Sequence, residues 1–524
     1  MKLYRAFATV GGLTLISRVL GFFRDILAAA VLGTGPVADA FYVAFRFPNL
    51  FRRLFGEGAF NSAFVPLFAG KLEGEGKEAA RAFAAQALSG LTFVILLVSA
   101  VCMIAMPWLM YILAPGFADM PEKFDLAVLL TQITFPYLLC MSLVALLSGV
   151  LNTFGKFVES SSVSILLNLT LAAAMGLSIW LGYRNEPMAG IIQAWGVFIA
   201  GILQLAHLLW GARRIGMSLP LGRPRWTPEL KQLVTLGIPG VIAGGITQVN
   251  ILIGTMIASL QDGAVSHLYY ADRIYELPLA IVGIAIGVVL LPDVSRQLRT
   301  GNHTGVMDSQ NRSLEFAMLL TVPAAVALAV VPSEIVRVLF QRGAFTAADT
   351  PYTANALAIF ALGLPAFVLI KVFSPAFFAR QDTKTPMRFA GWSLTANTIG
   401  SVALFFLFKS LGWMPHLGIA VATTLGGWMN AILLWRGLAR EGYFETDARL
   451  RRSLPMILVS SLVMGAALYA AARWLAPWLN MKAVMVSFSA LGVLVAIGAA
   501  VYFATATLTG AVRLGQIGAA LRRK

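Results

Sequence analysis

Apolar runs of about 20 residues succeed one another along nearly the whole chain, separated by short segments rich in Lys, Arg, Gly and Pro. Twenty apolar residues in a helix match the hydrocarbon thickness of a bilayer. In lipid a helix satisfies its own backbone hydrogen bonds, so helices are the expected element. The runs place spans at roughly 5–32, 36–70, 80–114, 123–152, 158–182, 188–212, 230–260, 264–296, 313–341, 352–380, 386–409, 416–437, 453–475 and 483–508. The pattern predicts an all-α polytopic membrane protein of about fourteen transmembrane helices. The second span is the least apolar, because Arg46, Arg52, Arg53 and Glu57 interrupt it. It is retained because its flanking helices need a return crossing.

An internal repeat groups the spans. Phe135-Pro136 precedes Asn152-Thr153-Phe154-Gly155-Lys156, and Leu364-Pro365 precedes Gln381-Asp382-Thr383-Lys384, an offset of 229 between the prolines. Pro48 and Pro278 are offset by 230, and Pro66 and Pro292 by 226. Helices 1–6 and 7–12 read as two parallel six-helix repeats. The expected organisation is 1–228, 229–445 and a remainder, 446–524, holding helices 13 and 14 and a basic tail.

Composition agrees with this reading. The 524 residues are 58% hydrophobic and only 12% charged, against about 25% charged in soluble domains. No stretch outside the spans is long enough for a soluble catalytic domain. The net charge of +16 suggests nucleic acid until the cations are mapped. Loops on one side collect Lys71, Lys77, Arg81, Lys156, Arg213, Arg214, Arg223, Arg225, Arg296, Arg299, Arg436, Arg440, Arg451 and Arg452, among others, while the opposite loops take Lys123, Arg184, Arg342, Lys409, Arg473 and Lys482. This is the positive-inside bias, and it predicts cytoplasmic N- and C-termini. It absorbs most of the charge, so no nucleic-acid partner is expected. Lys2 and Arg5 before an apolar stretch mimic a signal peptide, but Arg18 and Arg24 break the apolar region.

The informative charges lie inside the helices, where a charge costs a few kcal/mol and faces a cavity or a partner. In helix 1, Ser17 and Arg24 share a face, as do Arg18 and Asp25. Arg18 and Arg24 are roughly 120° apart on an ideal helix, so both reach one substrate only if the helix bends, with Gly21 the expected place. In helix 2, Asp39, Arg46 and Arg53 recur at seven-residue spacing, and Asn49 neighbours Arg52 and Arg53. Arg53 and Glu57 form an i,i+4 pair that is also explained as a helix-end ion pair. Helix 8 carries Ser266, Tyr269, Asp272, Arg273 and Glu276. Arg273 either faces the same cavity or is neutralised by Glu276.

Guanidinium groups keep their charge and present a planar fork that matches phosphate oxygens. A cavity lined by several of them suits an anionic lipid headgroup. The histidines His207, His267, His303 and His416 show no metal spacing. Gly149 to Lys156 fails the P-loop spacing. No metal or cofactor is expected, and energy is assigned to membrane potential or an ion gradient.

Five segments carry a family resemblance: SRVLGFFRD at 17–25, ADAFYVAFRFPNLFRRLFGEGAFNSAFVP at 38–66, APGF at 114–117, YYADRIYELP at 269–278 and ARQDTKTP at 379–386. Together with the spans they make the chain resemble, over nearly its whole length, the MurJ/MviN lipid II flippase family of the multidrug/oligosaccharidyl-lipid/polysaccharide exporter superfamily. The resemblance implies two six-helix lobes in a V around a central cationic cavity, alternating access, and a polyprenyl-tail groove on helices 13 and 14. It implies lipid II and membrane lipids as partners, a monomer, and a place in the bacterial inner membrane. It implies substrate contact by Arg18, Arg24, Arg52 and Arg273, with Ser17, Asn49 and Ser266 as polar cavity positions. Asp39 falls near a lateral portal, and Glu57 with Arg380 makes a cytoplasmic gate pair. Arg46, Arg53, Asp25, Asp272 and Glu276 are supporting polar positions. Some relatives hold sodium with acidic residues on helices 7 and 11. Here Gln248, Asn250, Asn397 and Thr398 stand there without a carboxylate, which argues against a sodium site.

Other functions fit less well. A multidrug/cation antiporter wants an acidic, aromatic cavity. A flippase for another polyprenyl-pyrophosphate glycan shares the phosphate chemistry and is the closest rival. A membrane glycosyltransferase or phosphatase needs a carboxylate pair or metal motif at the membrane surface, and Glu122 and Asp125 in a short loop are the nearest case.

Overall fold

A computed structural model describes the backbone of residues 2–56, 59–300, 302–481 and 483–511. Side chains are described there except at 2–9, 51–56, 59–62, 239–247, 281, 283–289, 291–292 and 303. The described residues are helical from end to end, with no strand among them. The helices are α1 (Lys2–Leu32), α2 (Pro36–Gly56), α3 (Ala59–Gly74), α4 (Lys77–Ile104), α5 (Met106–Leu113), α6 (Pro121–Thr134), α7 (Tyr137–Thr153), α8 (Phe157–Trp180) and α9 (Pro187–Arg214). They continue as α10 (Pro228–Ala258), α11 (Ala264–Arg299), α12 (His303–Val330), α13 (Pro332–Phe340), α14 (Asp349–Phe378), α15 (Lys384–Ser410), α16 (His416–Arg440), α17 (Ala448–Leu479) and α18 (Val484–Leu508). A 3-10 turn occupies Pro115–Asp119.

Ten helical segments among the described residues are long and apolar enough to cross a membrane. One of them, Pro121–Thr153, joins α6 and α7 across Pro136 and is 78% buried over its apolar window, whereas Val484–Leu508 is only 22% buried. The first is therefore an interior helix and the second a peripheral one, with apolar side chains such as Val495 and Phe503 directed outward as lipid solvation permits. Prolines set several breaks. A proline has no N–H for the ladder and disfavours helix in the residue before it, and α13 starts on Pro332. Within the expected second span, 36–70, the described residues belong to α2 and α3, and residues 57 and 58 between them lie outside the described residues.

The chain forms two compact units. The first comprises 1–266 and 342–345, the second 267–341 and 346–524. In the first, the aromatic rings of Phe64, Phe68 and Phe83 stack in the core, and Phe41, Phe45 and Tyr137 make a second aromatic row. The short segment 342–345 joins it by backbone contact, with Ala344 N donating to Ala30 O at 2.9 Å. Gly33 (φ +64) and Gly343 (φ +59) make this possible. A Cβ at Gly33 would lie 2.6 Å from Ala344 O, and one at Gly343 2.2 Å from Ala30 O.

In the second unit one apolar core gathers Val294, Leu314, Val372, Phe373, Phe377, Leu434, Leu438 and Ile457 from α11, α12, α14, α16 and α17. Another gathers Met464, Leu468 and Leu475 of α17 with Leu494 and Tyr502 of α18 and Val338 of α13. The start of α17 is tied to α12 by ions: Arg312 contacts Glu315 and Asp447, and Arg449 lies 3.0 Å from Glu315. Asp447 also caps α17, accepting from Leu450 N at 2.6 Å. Part of the basic charge of this end is thus neutralised locally.

Candidate functional site

The arginine of α1 that sits deepest is Arg24, 8% exposed beside Asp25 at 3%. A buried guanidinium needs a counter-charge and hydrogen-bond acceptors, and Arg24 has both. Its Nη2 donates to Asp25 Oδ1 at 2.6 Å and its Nε to the same oxygen at 3.1 Å. Its Nη1 donates to Asn168 Oδ1 at 3.1 Å. Asn168, from the middle of α8, is itself buried and turns its other end back to α1. Its Nδ2 donates to Ser17 O at 2.8 Å and lies 3.4 Å from Ser17 Oγ. Ser17 and Arg24 therefore meet through a third residue. Gly21, marked in the sequence as the place for a bend, provides the seat, since a Cβ there would lie 3.3 Å from Asn168 Nδ2. Arg18 is exposed on the same helix.

On α2, Asp39 is fully buried. It accepts from Lys123 Nζ at 2.8 Å, Gly263 N at 2.8 Å, Ser266 N at 2.9 Å and Ser266 Oγ at 2.8 Å. The Asp39 carboxylate thereby caps the first turn of α11, where free N–H groups and the helix dipole favour an anion. Lys123, read from sequence as a loop cation, lies in α6, is 3% exposed and also reaches Asp262 at 2.7 Å. Arg46 donates to Thr255 Oγ1 on α10 at 2.5 Å. Asn49 is half-buried. The Arg52 and Arg53 side chains, and Glu57 altogether, lie outside the described residues.

In the second unit Arg273 donates to Glu276 at 2.8 Å, with both side chains partly exposed. Its guanidinium carbon stands 4.8 Å from the Tyr269 ring centroid, so the expected neutralising partner is present and the aromatic face adds to it. Asp272 is half-buried beside them. Arg380, past the end of α14, donates to Ala376 O at 2.7 Å and stacks 4.0 Å over Tyr443. Burial lowers its pKa from the ordinary value. Its expected gate partner, Glu57, falls outside the described residues.

Sequence reading passed over Asn168, Thr255 and Lys371. Each was findable as a polar residue inside an apolar span. Lys371 is an exposed cation within α14, a helix that is otherwise apolar for most of its length. The second unit also holds an apolar groove of about 260 Å³ between α12, α17 and α18, lined by Leu320, Ala324, Leu468, Leu491, Ala499 and Tyr502 among others. The first unit thus offers buried and exposed guanidinium groups suited to an anion. The second offers Arg273, Arg380, Lys371 and this apolar groove.

A family model described as "Lipid II flippase MurJ" matches residues 28–489. A probable lipid II flippase MurJ of Rhizobium tropici is 47% identical over 526 aligned residues, covering 100% of this chain and 97% of the relative. A lipid II flippase MurJ of Burkholderia cenocepacia is 33% identical, with 92% of each chain covered. A solved structure, "Lipid II flippase MurJ, inward closed conformation", superposes with a TM-score of 0.77 at 26% identity, covering 95% of this chain and 98% of that one. An inward-facing multidrug-resistance transporter of the MATE family matches in fold alone, with a TM-score of 0.64 at 15% identity.

Proposed function

The chain belongs to the lipid II flippase MurJ family, and from that premise we propose that it moves the polyprenyl-pyrophosphate-linked peptidoglycan precursor lipid II from the cytoplasmic to the periplasmic leaflet. It is a multi-pass membrane protein and a transporter, not an enzyme. The observation that carries the reading is the 47% identity along the entire chain, which includes the helices whose arginines match an anionic headgroup.

In this proposal Arg18, Arg24, Arg52 and Arg273 line a cationic cavity and hold the pyrophosphate. Their charge is independent of pH in the physiological range, and their forks match phosphate oxygens. The buried state of Arg24 supports a role in which phosphate oxygens exchange for Asp25 as its acceptor. The groove between α12, α17 and α18 takes the polyprenyl tail, because an apolar channel of that size has no polar ligand to prefer. Both termini face the cytoplasm, following the distribution of basic loops. A single chain alternates between inward- and outward-open states, driven by membrane potential or an ion gradient.

The test is a lipid II translocation assay in cells depleted of the protein and lacking any second flippase. Lipid II is expected to accumulate on the cytoplasmic leaflet. Normal export would overturn the proposal, and selective arrest of a different lipid-linked glycan would reassign the substrate. Arg24→Ala and Arg273→Ala are each expected to lose complementation at normal membrane abundance.

A further inference from the structure

Asn168 belongs to none of the charged groups by which the site is recognised, yet its amide bridges two points on α1. Its oxygen accepts from the Arg24 guanidinium at 3.1 Å, and its nitrogen donates to the Ser17 carbonyl at 2.8 Å. The two contacts lie seven residues apart, with Gly21 between them leaving room for the amide. Asn168 is buried at mid-length in an otherwise apolar stretch of α8, Ile165-Leu166-Leu167-Asn168-Leu169. A polar side chain at that depth needs such partners to satisfy it, and both of these contacts fall on α1.

An arginine side chain has many rotamers, and Asp25 alone fixes one edge of the guanidinium. The Asn168 oxygen fixes another, through Nη1. The Ser17 contact prevents the amide from rotating away, because its nitrogen is committed to a backbone oxygen. The planar fork is therefore held in one orientation by two acceptors on different helices.

We propose that Asn168 is a positioning residue for Arg24, setting the direction in which that guanidinium is presented to the diphosphate of a lipid-linked substrate. The proposal rests on the flippase reading and on Arg24 as a headgroup contact. Asn168 touches Arg24 and α1, not the substrate. Its loss removes the Nη1 acceptor without removing the charge, so substrate affinity falls while the charge-dependent part of recognition remains.

The test is a double-mutant cycle on purified protein in nanodiscs, reading lipid II affinity for wild type, Asn168→Leu, Arg24→Ala and the pair. Asn168→Leu removes one hydrogen bond to a charged group, and its loss of affinity is expected to be about tenfold. In the Arg24→Ala background the same substitution is expected to cost nothing further, the non-additivity that marks residues acting as one unit. Asn168→Ser, which is too short to reach both partners but small and polar, repeats the measurement if the leucine variant does not fold. Wild-type affinity in Asn168→Leu or Asn168→Ser, with affinity lost in Arg24→Ala, overturns the positioning role and leaves the flippase reading standing. Additive losses overturn it in favour of plain helix packing. Unchanged affinity in Arg24→Ala overturns the headgroup assignment of Arg24, and the positioning role with it.

Discussion

At the scale of single residues, the strongest constraint in the first unit is the buried carboxylate of Asp39. Three donors from the Gly263–Ser266 turn and the Lys123 ammonium converge on it. Lys123 is the only full positive charge among those partners, so its removal leaves a buried anion held by dipoles alone. Breaking such a pair from one side costs about 3 kcal/mol or more. Lys123→Met is expected to lower the thermal unfolding midpoint in detergent clearly, and adding Asp39→Asn is expected to recover part of the loss. A Lys123→Met protein as stable as wild type would show that the backbone N–H groups suffice. Arg24, Asp39 and Arg273 were legible in the sequence because an ionisable residue inside an apolar span is conspicuous. Their partners were not. Lys123 is 84 positions from Asp39 and Asn168 is 144 from Arg24, and helical periodicity carries information only over a few turns. Arg273 with Glu276 was legible because they stand only three positions apart, on one helix face.

At the scale of elements, apolar run length and proline or glycine punctuation located most helices, since membrane crossing imposes length and the loops are short. The breaks within spans were less visible. The division of 80–114 into α4 and α5 falls at Ala105, a residue type that ordinarily favours helix. Helix ends with local side-chain caps are a separate case, and Asp382 before α15 is one. It accepts from Thr385 N at 3.0 Å, and hydrogen bonds from the Thr385 hydroxyl and then its N–H hold the carboxyl below its ordinary value of 3.8. A depressed carboxylate contributes stability that is fully present above the unfolded value and is lost as pH falls through the folded one. Asp382→Ala is therefore expected to cost about 1 kcal/mol at neutral pH. The gap to wild type narrows only below 3.8, the ordinary value. Thermal unfolding of both proteins from neutral pH down to about 3 checks this. A gap that stays constant to the lowest pH would assign the effect to helix propensity instead of the charged cap.

At the scale of the whole molecule, the proposed headgroup contacts fall in both units, Arg24 in the first and Arg273 in the second, whereas the apolar groove of α12, α17 and α18 belongs to the second alone. An amphiphile with a diphosphate headgroup and a long isoprenoid tail needs both kinds of surface, and this division lets the tail contribution be measured alone. Ala499 lines the groove and is exposed to it, so a larger side chain there occupies tail volume without displacing a core residue. Ala499→Phe is expected to slow export of full-length lipid II severalfold, since each methylene excluded from an apolar groove forgoes about 0.8 kcal/mol of burial. Binding of a short-tailed lipid II analogue is expected to stay at the wild-type level, because its headgroup contacts lie elsewhere. Equal losses for both substrates would mean that the substitution disturbs the packing of α17 against α18, and the groove would then have no part in tail recognition.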